Sequence, residues 1–242
     1  MIAADFLAAA EALPLVGLDA LSPGGALLVV APHPDDETLG CGGLIAEAVS
    51  RGRHVEIVFV SDGGASHPAS RAWPRPRLRD LRAAEAKVAA AILGLGPERL
   101  TFLGLADGGL PRSGPDFDRA VDAITDSARA CRAATICVTW AHDPHRDHQA
   151  AHAMAAAAAL FCDAGLLSYP VWGHTLPAAT EVSPGPPRGG RLDISRHVTR
   201  KSRAIAAHRS QLGLVVDDDP DGFVLDREMQ ARFARPFEIF LQ

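Results

Sequence analysis

Apolar and polar positions follow two rhythms along the chain. Five short runs, Ala26–Ala31 (ALLVVA), His54–Val60 (HVEIVFV), Leu100–Leu105, Thr135–Trp140 (TICVTW) and Leu167–Trp172, have the length and composition of strands. The first is apolar throughout, which suits a strand covered on both faces. Between the runs, apolar residues recur by threes and fours. That spacing predicts helices over about 38–51, 77–93, 116–132 and 147–163, a short one at 5–13 and a late one at about 196–209. In the 77–93 segment Leu78, Leu81, Ala84, Val88 and Ile92 keep the period, and Gly94 follows as a stop. Two stretches break both rhythms. Residues 62–77 (DGGASHPASRAWPRPR) and 175–190 (TLPAATEVSPGPPRGG) are rich in Gly and Pro and read as loops.

Strands alternating with helices of this length imply βαβ units. The expected fold class is therefore α/β, a mainly parallel sheet flanked by helices. The pattern reads as a single α/β domain over 1–242, with 1–25 as an N-terminal helical extension and 62–77 and 175–190 as flexible inserts near the pocket. Ligands on such sheets bind beyond the carboxyl ends of the strands. The loops after 26–31, 54–60, 100–105 and 135–140 should thus share one rim.

Composition narrows the function classes. With 48% hydrophobic and 22% charged residues among 242, the chain has the balance of a soluble globular protein and not of a disordered one. A chain of this length buries roughly 70–75% of its unfolded surface and needs no disulfide staples. The net charge of −5 weighs against nucleic acid or an anionic membrane as partner. No apolar run reaches the length of a membrane span. Cys41, Cys131, Cys137 and Cys162 form no C-x-x-C pair and read as free thiols of a reducing compartment. The N-terminus lacks a basic region ahead of its apolar residues, unlike a secretory signal. A cytoplasmic protein without a membrane span is the expectation, and the oligomeric state stays open.

The chemistry concentrates after two of the strands. Pro32-His33-Pro34-Asp35-Asp36-Glu37 packs one imidazole and three carboxyls directly behind the first strand. Clustered carboxylates repel unless a cation joins them, and His with Asp is a suitable zinc ligand set. His33 and Asp36 are spaced to chelate one ion on a tight turn, leaving Asp35 free to act as a base. The same acidic run at a helix start also complements the helix dipole. The second cluster, His142-Asp143-Pro144-His145-Arg146-Asp147-His148 with His152, follows the fourth strand. It offers a further metal ligand from the same rim, but spacing does not choose between His145 and His148.

The residues Ala31-Pro32-His33-Pro34-Asp35-Asp36-Glu37-Thr38 resemble the A-H-P-D-D-E signature of the PIG-L/LmbE-like deacetylases. His145-Arg146-Asp147-His148 resembles that family's H-P-D-H element, with Arg146 where Pro is usual. Arg82-x-x-Glu85, Leu103-Gly104-Leu105 with Asp107, and Lys201 with His208-x-Ser210-Gln211 agree, so the resemblance runs from about 26 to 211. It implies a Rossmann-like fold and zinc-dependent removal of an N-acetyl group from an amino-sugar conjugate. It further implies zinc, or another divalent metal, on His33, Asp36 and His148. Asp35 would be the general base and His145 the group that polarises or protonates the reacting atoms. Arg82 and Asp107 match positions that contact the sugar. Asp143 stands where some members carry Tyr and would orient His145 or accept a substrate hydroxyl. The implied partner is a small N-acetylated glycoside or glycoconjugate, with no nucleic acid.

Bland readings stand beside several of these residues. Arg82 and Glu85 are spaced for an ion pair on a helix surface. Gly40, Gly42 and Gly43 lack the Lys of a phosphate loop and point to close helix packing. The insert residues Arg71, Arg75, Arg77 and Trp73 suit an acidic or phosphorylated sugar, or merely a solvated loop. The acidic run 217–221 reads as a turn, lacking the spacing of a calcium loop. A zinc amidase of a larger amide and a non-catalytic sugar-binding module are the alternative functions; the intact Asp35 argues against the latter.

Overall fold

A computed structural model describes residues 1–183 and 185–242 of the chain; Pro184, within the predicted 175–190 insert, lies outside the described residues. The strands are β1 (Leu15–Val16), β2 (Ala26–Ala31), β3 (Val55–Ser61), β4 (Leu100–Leu105), β5 (Ala133–Thr139), β6 (Gly165–Tyr169), β7 (Gly189–Asp193) and β8 (Phe237–Leu241). The helices are α1 (Ala3–Glu11), α2 (Leu18–Leu21), α3 (Asp36–Ser50), α4 (Arg75–Leu93), α5 (Pro115–Cys131), α6 (Arg146–Cys162), α7 (Val198–Ile205) and α8 (Arg227–Phe233). The strands join in one sheet in the order β1-β7-β8-β6-β5-β2-β3-β4. All pairings are parallel except those of β8 with β6 and β7. The mainly parallel α/β architecture expected from the sequence is the one observed.

Alternation along β2 explains its unbroken apolar run. Leu27, Val29 and Ala31 point into a core shared with α3 and α4, while Leu28 and Val30 point into a second core shared with α5 and α6. Residues 1–25 pack on the same chain: Phe6 of α1 stacks on Trp140 at 5.1 Å between ring centres, in a small third cluster with β8. The helix expected at 196–209 is shorter, because the chain leaves α7 after Ile205 and forms a 3-10 turn at Arg209–Leu212. No helix among the described residues is long and apolar enough to cross a membrane.

Two interactions seat α3, the helix that carries the first motif. At Gly40 and Gly43 the helix backbone meets Tyr169 and Ile194, and a Cβ at either position would overlap those side chains. The glycines after the motif are therefore packing residues. From β8, the Glu238 carboxylate accepts from the N–H groups of Gly43 (2.6 Å) and Leu44 (2.8 Å) and from Lys201 Nζ (2.8 Å). Lys201 and Glu238 are both buried, so each charge depends on the other.

Replacing Gly40 by Ala should destabilise the fold by about 1–3 kcal/mol through overpacking. Gly17→Ala, where a Cβ meets nothing, should stay within about 0.5 kcal/mol of the parent in the same urea titration. Glu238→Gln should cost about 3–5 kcal/mol, because it leaves the Lys201 ammonium buried without its counter-charge. An unchanged urea midpoint for Glu238→Gln would show that the pair does not hold α3.

Candidate active site

The sheet order places the two motifs side by side. From β2 the chain winds one way through β3 and β4; from β5 it winds the other way through β6. A crevice opens where the winding reverses, at the carboxyl ends of the adjacent strands. The β2 exit, Pro32–Asp35, turns directly into α3, and the β5 exit, Trp140–His145, turns into α6. His145 caps α6: its Nδ1 accepts from the Asp147 N–H at 3.2 Å. Helix-start chemistry thus fixes the loop that bears His145.

Asp36 lies between two imidazoles. Its Oδ2 is 3.1 Å from His33 Nδ1 and 3.2 Å from His148 Nε2. The far nitrogen of each ring faces further carboxylates. His33 Nε2 is 3.0 Å from Asp107 Oδ1 and 3.3 Å from Asp147 Oδ2, while His148 Nδ1 is 3.4 Å from Asp143 Oδ2. His148 is fully buried, and among the described residues neither of its ring nitrogens finds a hydrogen bond of good geometry. His33, His145 and His148 also offer nitrogens within 4.8 Å of one another, as does His33 with oxygens of Asp107 and Asp147.

The electrostatics of this cluster call for positive charge. Burial would push the Asp36 carboxyl up, but the neighbouring His148 and His33 hold it below the usual carboxylate range. Burial would likewise lower both histidines. Asp36 and Asp143 nonetheless raise His148 to about 9, and Asp107, Asp147 and Asp36 raise His33 well above its ordinary value. Protons on these rings and a divalent cation between them are alternative answers to the same demand. The buried His148 nitrogens without hydrogen bonds, the shared Asp36 oxygen and the carboxylates behind each ring fit a metal centre of His and Asp ligands.

Asp35 faces the cavity side of this cluster. Burial raises its carboxyl to about 6, against the pull of Arg82. Arg82 is buried and donates to Asp35 Oδ2 (3.0 Å), Pro34 O (3.1 Å) and Gly63 O (2.8 Å). It forms no surface pair with Glu85, whose carboxylate accepts from the Ser210 N–H and hydroxyl at 2.8 and 2.6 Å. Burial and the nearby His33 lower His145, favouring a neutral ring. Because its Nδ1 is an acceptor, that neutral ring carries its proton on Nε2. A cavity of about 640 Å³ opens here, and His33, Asp35, Asp36, Arg82, Asp107 and His145 all line it.

Asp143 is not among the lining residues and is fully buried. Its carboxylate accepts from the N–H groups of Val171 (2.9 Å) and Trp172 (3.0 Å) and backs His148. The expectations that it accepts a substrate hydroxyl or orients His145 are corrected accordingly: it braces His148 and the loop after β6. The cationic insert is corrected as well. Arg75 binds Asp62 (3.1 Å) and the Asp107 carbonyl, Arg77 packs over Trp73 at 3.8 Å, and none of Arg71, Trp73, Arg75 and Arg77 lines the cavity. Ala65 and Ser66 from 62–77 and Thr175 from the second insert do line it. Asp147 has no role among the expectations from spacing and resemblance. Besides facing His33, it accepts from the N–H groups of Gly108 (2.8 Å) and Leu110 (3.0 Å), tying the loop after β4 to the site. Its position beside His148 in the second motif was the available signal.

Comparison with known proteins identifies the family. A family model described as PIG-L, GlcNAc-PI de-N-acetylase, matches residues 28–159. The 1D-myo-inositol 2-acetamido-2-deoxy-alpha-D-glucopyranoside deacetylase of Mycolicibacterium vanbaalenii is 30% identical over 241 residues, covering 81% of this chain and 82% of its own. The mycothiol S-conjugate amidase of Streptomyces coelicolor is 30% identical over 146 residues, 52% of this chain and 48% of its own. Among solved structures, N,N'-diacetylchitobiose deacetylase from Pyrococcus horikoshii superposes with a TM-score of 0.68 at 21% identity, covering 93% of this chain and 86% of the other. The matched segment contains both motif loops and more than half of the sequence, and the chain belongs to the PIG-L family.

Proposed function

We propose that the chain is a metal-dependent hydrolase that removes an N-acetyl group from an amino-sugar conjugate. The observation that carries this reading is Asp36 Oδ2 held between His33 Nδ1 and His148 Nε2, with Asp35 beside it on the cavity wall. His33, Asp36 and His148 would hold a divalent metal, with zinc the reading that suits two imidazoles and one carboxylate. Bound there, the ion would supply Lewis acidity and lower the pKa of water at the site.

The chain's own residues supply the rest. The Asp35 carboxylate accepts a proton from the attacking water, and the Arg82 guanidinium holds that carboxylate in place. The His145 Nε2–H donates to the acetamide oxygen as it gains negative charge. The amine leaves with the proton that Asp35 acquired. Asp143 and Asp147 orient the ligand rings from behind, as carboxylates do in many metal sites. The named activity of the Mycolicibacterium relative, deacetylation of an acetamido-glucopyranoside, supports the acetyl amide as substrate. The amidase relative supports a second reading, hydrolysis of a larger amide. The acyl product separates the two: acetate for the first, a longer acid for the second.

Asp35→Asn should keep bound metal and lower acetate release by about 10²–10⁴-fold. His148→Ala should lose the metal, read by elemental mass spectrometry on the purified variants. A fully active Asp35→Asn would remove Asp35 from its role as base. Asp143→Asn should weaken metal affinity by about 10–100-fold, measured by competition with a chelator, since it alters the partner behind His148. Unchanged affinity would confine Asp143 to bracing the loop.

A further inference from the structure

The cavity has a second wall that the deacetylation chemistry does not use. Trp172 and Phe223 both line it, edge to face at 5.5 Å between ring centres, and both rest partly exposed on the main core. Carboxylates clamp the backbone that carries each ring. The Trp172 N–H donates to Asp143, the residue behind His148. Phe223 follows the acidic run: Asp218 accepts from the N–H groups of Arg71 (2.8 Å) and Ala72 (2.9 Å), and Asp219 from that of Ala69 (2.8 Å). The Phe223 N–H in turn donates to Ser66 O at 2.8 Å. Gln211 lines the same cavity, and its Oε1 is buried without a partner among the described residues, an acceptor open to a ligand's hydroxyl or N–H. The volume of about 640 Å³ exceeds what one hexosamine ring and its acetamide fill.

The charge of the lining is one-sided. Asp35, Asp36, Asp107 and Asp221 line the cavity, while Arg82 is the one Lys or Arg lining it among the described residues, and both of its terminal nitrogens are engaged by Asp35 and two carbonyls. Even with a divalent cation added, the carboxylates outnumber the positive charges. A phosphate or carboxylate on the substrate would meet repulsion there, with the terminal nitrogens of the lining guanidinium already engaged.

We infer that Trp172 and Phe223 form a second subsite for the group attached to the amino sugar, taking it by an apolar ring face, and that the acidic lining with Asp221 selects a neutral or cationic group over an anionic one. The inference rests on the proposed deacetylation and names its substrate class. Aromatic faces suit the C–H faces of sugar rings as well as aryl rings.

The test compares acetate release by the metal-loaded protein from N-acetylglucosamine, its phenyl glycosides and its 4-carboxyphenyl glycosides, both anomers of each. The phenyl conjugate should exceed the bare sugar in kcat/KM by about five- to tenfold, in line with one aromatic contact. The 4-carboxyphenyl conjugate should lose most of that gain. Phe223→Ala and Trp172→Leu should abolish the phenyl preference, and Asp221→Lys should restore turnover of the carboxylate. Equal kcat/KM for all three ligands would overturn the subsite. If no acetate appears from any of them, the deacetylase reading fails, and the subsite is judged by calorimetry alone. Phenyl glucosaminide should then bind about five- to tenfold more tightly than glucosamine to the parent but not to Phe223→Ala, and equal binding would overturn it.

Discussion

The surplus of carboxylate around two buried imidazoles is the constraint on which the rest of the molecule depends. Asp36, Asp107, Asp143 and Asp147 all face His33 or His148, and Asp35 lies beside them. Such a group is held together only if the elements bearing it are prevented from spreading. Asp36 starts α3, and that helix is pinned by close packing at Gly40 and Gly43 and by Glu238. Asp147 and His148 lie in the first turn of α6, on the opposite face of the sheet from α3. The pairing of β2 with β5, in register from Leu27 with Thr135 to Val30 with Val138, fixes the spacing between the two helix starts. The sheet therefore stabilises an arrangement that its own charges oppose, and a bound cation would relieve that opposition.

Several carboxylates in this chain act twice. Asp143 joins His148 to Trp172, and Asp147 joins His33 to the loop after β4. Asp107 approaches His33 while accepting from the Ala65 N–H at 2.8 Å, which draws the 62–77 segment to the site. Each of these loops around the cavity is thus anchored to the same cluster. The cavity walls are therefore one hydrogen bond away from the charged cluster.

The sequence was most informative where the period was long and uninterrupted. Six of the helices and the five parallel strands running from β4 across to β6 were legible, because their apolar faces repeat and their ends carry Gly or polar caps. Strands β1, β7 and β8 and helices α2 and α8 leave no such signal. β7 begins Gly189-Gly190-Arg191 at the end of a Gly/Pro-rich stretch; it is a strand because β1 and β8 flank it, a cause outside the local sequence. The site showed the same division. The motif residues His33, Asp35, Asp36, His145 and His148 could be named from spacing and resemblance, and they do converge. Asp143 lay in the right loop with the wrong neighbour assigned, since its contact with the loop after β6 joins residues 28 apart in the chain.

Arg82 illustrates why residue type and spacing alone stop short. Its spacing from Glu85 suits a surface ion pair, and its match to the family suits a sugar contact. The guanidinium forms no surface pair, because α4 passes over the β2 exit and delivers it, on the cavity wall, to Asp35 and to the carbonyls of Pro34 and Gly63. A buried guanidinium needs several acceptors at once, and the planar fork reaches three groups through its two terminal nitrogens. The carbonyls fix the fork, and the fork then fixes the carboxylate. An Arg at this position orients the proposed base before any substrate arrives, which is how a rigid scaffold reduces the reorganisation that a catalytic step would otherwise require.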